Sequence, residues 1–124
     1  MSAEANIESA KKAYAAFTAG NGLAAMANLS DDIEWIVSGE SALSGTYRGK
    51  AQVSQLWASI AEKSYVISPQ RFLADDDTVV VLSNISVQGE PAEQADVLTY
   101  RDGKVIQFRS MSDTAMQERI YGHK

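Results

Sequence analysis

The chain has 124 residues, 45% of them hydrophobic and 22% charged, an ordinary globular balance that argues against disorder and suits one domain over residues 1–124. Its 16 acidic and 11 basic side chains give a net charge of -5, which works against binding a nucleic-acid backbone. It contains no cysteine, and its one histidine, His123, is the penultimate residue, so disulfides, thiolate nucleophiles, zinc–thiolate sites, Ser-His-Asp triads and multi-histidine metal centres are excluded. Chemistry therefore falls to carboxylates, tyrosine, serine, lysine, arginine or backbone groups, and no metal or organic cofactor is expected. The first ten residues lack the basic start and apolar stretch of a signal peptide. No apolar run approaches the ~20 residues of a membrane span. The expected location is the cytoplasm, with no membrane partner.

Apolar Ile7, Ala10, Tyr14 and Phe17 recur at helical spacing and predict a helix over residues 4–19, closed by Gly20, Asn21 and Gly22. A short second helix over 22–28 should turn Leu23 and Met26 inward. Residues 33–37 alternate as a strand, with Ile33, Trp35 and Val37 on one face. Residues 38–49, rich in Ser and Gly, read as a loop. Val53, Leu56, Trp57 and Ile60 then mark a third helix over 50–63.

The second half reads as strands: 65–74, with Pro69 marking a bulge or an edge, 78–88, 94–100 and 105–112. Asp75 to Asp77, Gly89 to Pro91 and Arg101 to Lys104 are the turns. The run Val79 to Leu82 is apolar on both faces, which asks for cover on both sides of the sheet. Residues 113–124 read as a polar tail with one helical turn around Met116. Helices followed by a meander predict an α+β fold, helices packed on one face of a curved antiparallel or mixed sheet. A second copy of the chain is the simplest cover for the other face, so a homodimer is expected.

Four segments carry a family resemblance: Tyr-Ala-Ala-Phe-Thr-Ala-Gly at 14–20, Asp-Asp-Ile-Glu-Trp at 31–35, Gly-Thr-Tyr-Arg-Gly-Lys at 45–50 and Arg-Asp-Gly-Lys-Val at 101–105. With the order of elements, they resemble the SnoaL-like branch of the NTF2-like superfamily, which includes ketosteroid isomerases, polyketide cyclases and limonene-epoxide hydrolases. The resemblance implies a cone-shaped, strongly curved sheet wrapped around N-terminal helices (an NTF2-like, cystatin-like fold), an apolar pocket within it, and commonly a homodimer through the sheet. It does not fix a reaction, because one fold hosts many. Carried over by position, the isomerase base falls on Val37, which takes no proton. The isomerase tyrosine falls on Ala13, with Tyr14 one residue and about 100° away. The isomerase aspartic acid falls on Asp96. The epoxide hydrolases use an Arg-x-Asp pair, and this chain has no such triplet; their last-strand aspartate falls on Ser110.

Asp96 carries the most functional weight. It shares a strand face with Leu98 and Tyr100, and an inward carboxyl among apolar neighbours has a raised pKa and serves as acid, base or hydrogen-bond donor. The alternative is a strand-start residue that reaches solvent. Tyr14 is the second catalytic candidate, against a plain core tyrosine. Phe17, Trp35, Val37, Trp57, Leu98 and Phe108 are candidate walls of a ligand pocket, and equally candidate core. Ser110 and Ser112, alternating with Phe108 and Ile106, are candidates for binding a ligand oxygen. Arg48 reads as a surface ion pair, Asp113 as a cap on the tail and Asp75 to Asp77 as a solvated turn rather than a calcium loop. The expected function is binding of a small apolar molecule, with cofactor-free isomerisation, cyclisation or hydration at Asp96. The alternatives are a non-catalytic binding protein and a dimeric interaction domain whose cavity is filled by side chains.

Overall fold

The computed structural model describes residues 2–124 and has the mixed α+β architecture expected. Helix α1 (Ala3–Thr18) starts where the Ser2 side chain accepts from the Ala5 N–H. It turns Ala10 and Tyr14 inward, with Ile7 and Phe17 packed beside them. Helix α2 (Gly22–Met26) is capped by Asn21, and its buried residue is Ala25. Leu23, expected inside, is 88% exposed. Two residues of helix are about 200°, so burying Ala25 in so short a helix sends Leu23 outward.

Six strands form one sheet: β1 (Leu29–Val37), β2 (Gly45–Arg48), β3 (Tyr65–Asp75), β4 (Thr78–Val87), β5 (Glu90–Arg101) and β6 (Lys104–Ser112). Their order is β2-β1-β6-β5-β4-β3. All neighbours are antiparallel except β1 and β6, which run parallel, so the sheet is mixed. Helix α3 (Gly49–Ala61) lies between β2 and β3 in sequence and buries Val53 and Leu56. Burial alternates along β4, with Val79, Val81, Ser83, Ile85 and Val87 inward, and along β5, with Gln94, Asp96, Leu98 and Tyr100 inward. That is the two-residue period of a sheet covered on one face by helices. Val80 and Leu82 point the other way and are half-buried.

Three expectations are corrected. The segment read as a loop over 38–49 contains β2, whose Tyr47 pairs with Trp35; four residues of edge strand among serines and glycines give little alternation to read. The turn expected at Gly89 to Pro91 is instead Gln88 and Gly89, both with positive φ (52° and 80°), and β5 starts at Glu90. Two central residues in the left-handed region match a hairpin's own twist, so the strand resumes at once. The tail forms helix α4 (Thr114–Tyr121), two turns rather than one, and it buries Met116.

Pro69 stands at a register shift on β3, which is also the sheet edge, and both places suit a residue without an N–H. A second shift lies between Thr99 and Tyr100, which pair with Gln107 and Val105. Ile106 is the extra residue of that bulge, so Val105 takes the inward place that simple alternation would give Ile106. Among the described residues no helix is long and apolar enough to cross a membrane. At the start of α4 the Asp113 side chain accepts from the Met116 N–H at 2.9 Å. Asp113→Ala should lower stability by about 1 kcal/mol in urea unfolding. No change at all would mean that α4 does not depend on its cap.

Candidate functional site

The site begins with two residues brought together from opposite layers. Asp96 faces inward from the middle of β5, between Val81 of β4 and Ser110 of β6 as cross-strand neighbours. Tyr14 comes down from α1, one turn beyond Ala10. The Tyr14 hydroxyl donates to Asp96 Oδ2 at 2.6 Å. Gln94, two residues before Asp96 and on the same face, donates its Nε2 to Oδ1 at 3.0 Å and Oδ2 at 3.1 Å. The Gln94 Oε1 in turn accepts from the Tyr65 hydroxyl at 2.9 Å.

Asp96 is fully buried, with 0% exposure. Burial pushes its carboxyl up to about 6, and hydrogen bonds from Tyr14, Gln94 and Ser110 hold it from rising further. None of the ion pairs among the described residues involves Asp96. A carboxylate accepts and an un-ionised acid must donate, so a shell made of O–H and N–H donors fits the ionised form. Burial first, then the adjacent Asp96, raises the Tyr14 hydroxyl well above its ordinary range. Tyr65 is raised too, mainly by burial. Both phenols thus stay protonated and act as donors.

This cluster borders a cavity of about 100 Å³ with mostly apolar walls. Trp35 lies flat on Phe108, centroids 3.6 Å apart and planes 7° from parallel. Trp57 meets Trp35 and Phe17 edge to face at 5.7 and 5.3 Å. The Trp57 indole N–H is buried and has no partner. From α4, Gln117 and Tyr121 close one side.

The structure brings together most of the residues expected at a site. Asp96, Tyr14, Phe17, Trp35, Val37, Trp57, Leu98, Phe108 and Ser110 all line the cavity. Ser112 does not; its hydroxyl donates to the Glu93 carbonyl at 2.7 Å. Ala13, the residue at the isomerase tyrosine position, also borders the cavity, but Tyr14 is the one that reaches Asp96. Arg48 pairs with Glu34 at 2.6 Å on the surface. No acidic or histidine cluster fit to hold a metal ion is present among the described residues.

Sequence reasoning missed Gln94, Tyr65 and Tyr121. Gln94 was within reach, because the same two-residue period that turns Asp96 inward turns Gln94 inward. Tyr65 gave no such signal: it opens a strand at the sheet edge, and its hydroxyl meets Gln94 from 29 residues away. Tyr121 lay in the segment taken for a polar tail.

The titration of Asp96 makes a stability prediction. Its pKa is about 6 folded against an ordinary 3.8, so the folded state holds the proton longer than the unfolded chain. Stability is then lost as pH rises from about 4 through about 6, by on the order of 3 kcal/mol. Asp96→Asn removes this loss. Its stability relative to the parent should improve by about that amount between about pH 4 and pH 7 in urea titrations. A difference that stays flat across this range would contradict the assignment.

Comparison with known proteins follows the same lines. The sequence model of the SnoaL-like domain matches residues 10–108. No curated protein matches the sequence. Among solved structures, an NTF2-like protein from Burkholderia xenovorans LB400 is 30% identical, with 98% of each chain covered and a TM-score of 0.80. Bal32a, from a soil-derived mobile gene cassette, is 19% identical over 96% of this chain and 98% of its own, with a TM-score of 0.90. TerC, co-crystallised with polyporic acid, is 24% identical over 94% of this chain and 98% of its own, with a TM-score of 0.85.

Proposed function

The chain belongs to the SnoaL-like domain family, and on that premise we propose that its cavity binds a small, neutral, largely apolar molecule on which Asp96 acts as a general base. The observation that carries this reading is the fully buried carboxyl of Asp96, held by neutral donors at the edge of an aromatic cavity, with burial pushing it up to about 6. A base works best when its pKa lies near the working pH, and a carboxyl of ordinary pKa would be a much weaker one. An anionic ligand would face the uncompensated charge of Asp96, which disfavours it.

The reaction class is proton transfer within an isomerisation, cyclisation or hydration, with no cofactor. Asp96 takes a proton from carbon beside a carbonyl, and the electron pair left behind moves to the carbonyl oxygen. Tyr14 is the second catalytic residue, because its hydroxyl touches the reacting carboxylate and borders the ligand space. Phe17, Trp35, Val37, Trp57, Leu98 and Phe108 supply the walls with Ser110 beside Asp96, and the free indole N–H of Trp57 supplies a hydrogen bond to a ligand oxygen. Ser112, turned to a backbone carbonyl, is left out.

The reading in which side chains fill the cavity is disfavoured by the space that remains beside the stacked Trp35 and Phe108. The partner proposed for the outer sheet face is a second copy of the chain. Across β4, β5 and β6 that face presents Val80 beside Val97 and a row of Leu82, Ala95 and Met111, the last 37% exposed. Sedimentation at micromolar concentration should show a dimer that Met111→Lys weakens; a parent monomer would remove this partner. A cytoplasmic location accords with the same reading.

A thermal-shift screen of neutral ring ketones tests for the ligand. At ~100 times its dissociation constant a true ligand adds about 2.7 kcal/mol. For any compound turned over, the rate should rise with pH through a midpoint near 6. Asp96→Asn should lower turnover at least ~100-fold. Full turnover in Asp96→Asn would leave binding and remove the base.

A further inference from the structure

A base that serves an isomerisation or cyclisation must also give its proton back, and the hydrogen bonds around Asp96 bear on how it does so. Every partner of the carboxylate, Gln94, Tyr14 and Ser110, is a donor to it. Gln94 Nε2 faces both oxygens, Tyr14 faces Oδ2, and the far end of the Gln94 amide, Oε1, is held by the Tyr65 hydroxyl. That arrangement fits the ionised form. Once Asp96 carries a proton on Oδ1, the oxygen that Gln94 Nε2 faces at 3.0 Å and that Tyr14 does not bond, its new O–H points at an N–H, and a buried donor loses its acceptor. An unmade buried hydrogen bond costs about 1–3 kcal/mol, so this orientation of the amide disfavours the protonated form.

The two ends of an amide are nearly the same size and differ only in donating or accepting. A half-turn about the last side-chain bond of Gln94 exchanges them. Oε1 then accepts from the Asp96 O–H, and Nε2 donates to the Tyr65 oxygen. A hydroxyl can accept as readily as it donates, its hydrogen rotating away. Tyr14 still donates to the unprotonated oxygen of Asp96. Both protonation states then have a full set of partners.

We propose that Gln94 and Tyr65 are positioning residues that let Asp96 both take and return a proton, Gln94 turning its amide over whenever Asp96 becomes protonated. The step is balanced within the site: a ligand C–H bond breaks, its electron pair stays on the ligand, and an O–H bond forms on Asp96. Return of that proton to another ligand atom reverses the turn. The groups facing Asp96 are Tyr14 from α1, Val81 from β4, Gln94 from its own strand and Ser110 from β6. Tyr65 from β3 stands behind Gln94, Tyr121 from α4 lies near Tyr65, and Tyr100 from β5 lies near Tyr14. The tyrosines are all raised above their ordinary range, so between about pH 4 and pH 8 Asp96 is the one of these groups that titrates.

This proposal rests on the reading of Asp96 as a base, but its test needs no substrate. Neutron diffraction on deuterium-exchanged crystals distinguishes ND2 from oxygen, which X-rays at ordinary resolution do not. At about pH 8 the ND2 group of Gln94 should face Asp96; at about pH 4.5 it should face Tyr65, with deuterium on Asp96. Crystals of Asp96→Asn should keep one orientation at both pH values. A parent amide fixed in one orientation at both pH values, or one that turns equally in Asp96→Asn, overturns the proposal. An amide that turns over in a protein whose Asp96→Asn variant keeps full turnover would sustain this inference and remove the base.

Discussion

A carboxyl group buried without a cation must be surrounded by donors or stay protonated, and the arrangement around Asp96 answers that constraint. The cost of taking a lone carboxylate out of water is several kcal/mol, too much to leave unanswered in a chain of this size. Here it is met by neutral groups from different parts of the chain: Tyr14 from the first helix, Gln94 from the same strand and Ser110 from the next strand. Neutral donors offset the burial only in part. The carboxyl is left near 6 rather than near 4, which keeps a proton within reach at ordinary pH. A lysine or arginine in the same place would have held the charge more firmly and removed the reactivity.

The irregularities of the sheet serve the same arrangement. The shift at Pro69 and Arg71 and the bulge at Ile106 lie on strands flanking the cavity, and bulges bend and twist the strands that carry them. A flat sheet would press α1 onto the strands beneath it, β3 and β4. A curved one leaves room between the layers, into which the aromatic side chains project. Helix α4 then folds back so that Gln117 and Tyr121 close the space.

Much of this was legible in the sequence, and for stated reasons. Periodicity placed Tyr14 on the inner face of a helix and Asp96 on the inner face of a strand, because 3.6 and 2.0 are rigid numbers once an element exists. Alternation failed at Ile106 because one extra residue resets it, and nothing in the local composition marks that bulge. Leu23 went wrong because a five-residue helix is too short for its hydrophobic face to be fixed by its own pattern. Strand β2 was missed and helix α4 was read as a single turn because each owes its place to contacts made elsewhere, β2 to pairing with β1 and α4 to the burial of Met116. Tyr65, the outer member of the network, is the same kind of case: its role exists only once β3 is laid at the edge of the sheet and its hydroxyl meets Gln94. A family likeness settled the fold but not the chemistry, since the isomerase and hydrolase groups are mostly absent from their positions.

Everything proposed for the cavity depends on Asp96 being a charged, donor-held carboxylate with a raised pKa. Carbon-13 NMR of the protein labelled at its aspartate carboxyl carbons reads that state directly, with Asp96→Asn used to assign the resonance. The expected result is a midpoint near 6 for one carbon, with the exposed aspartates titrating near their ordinary value of about 4. A midpoint for Asp96 at or below about 4 would contradict the account, because the carboxyl would then be an ordinary, firmly held charge rather than a poised base.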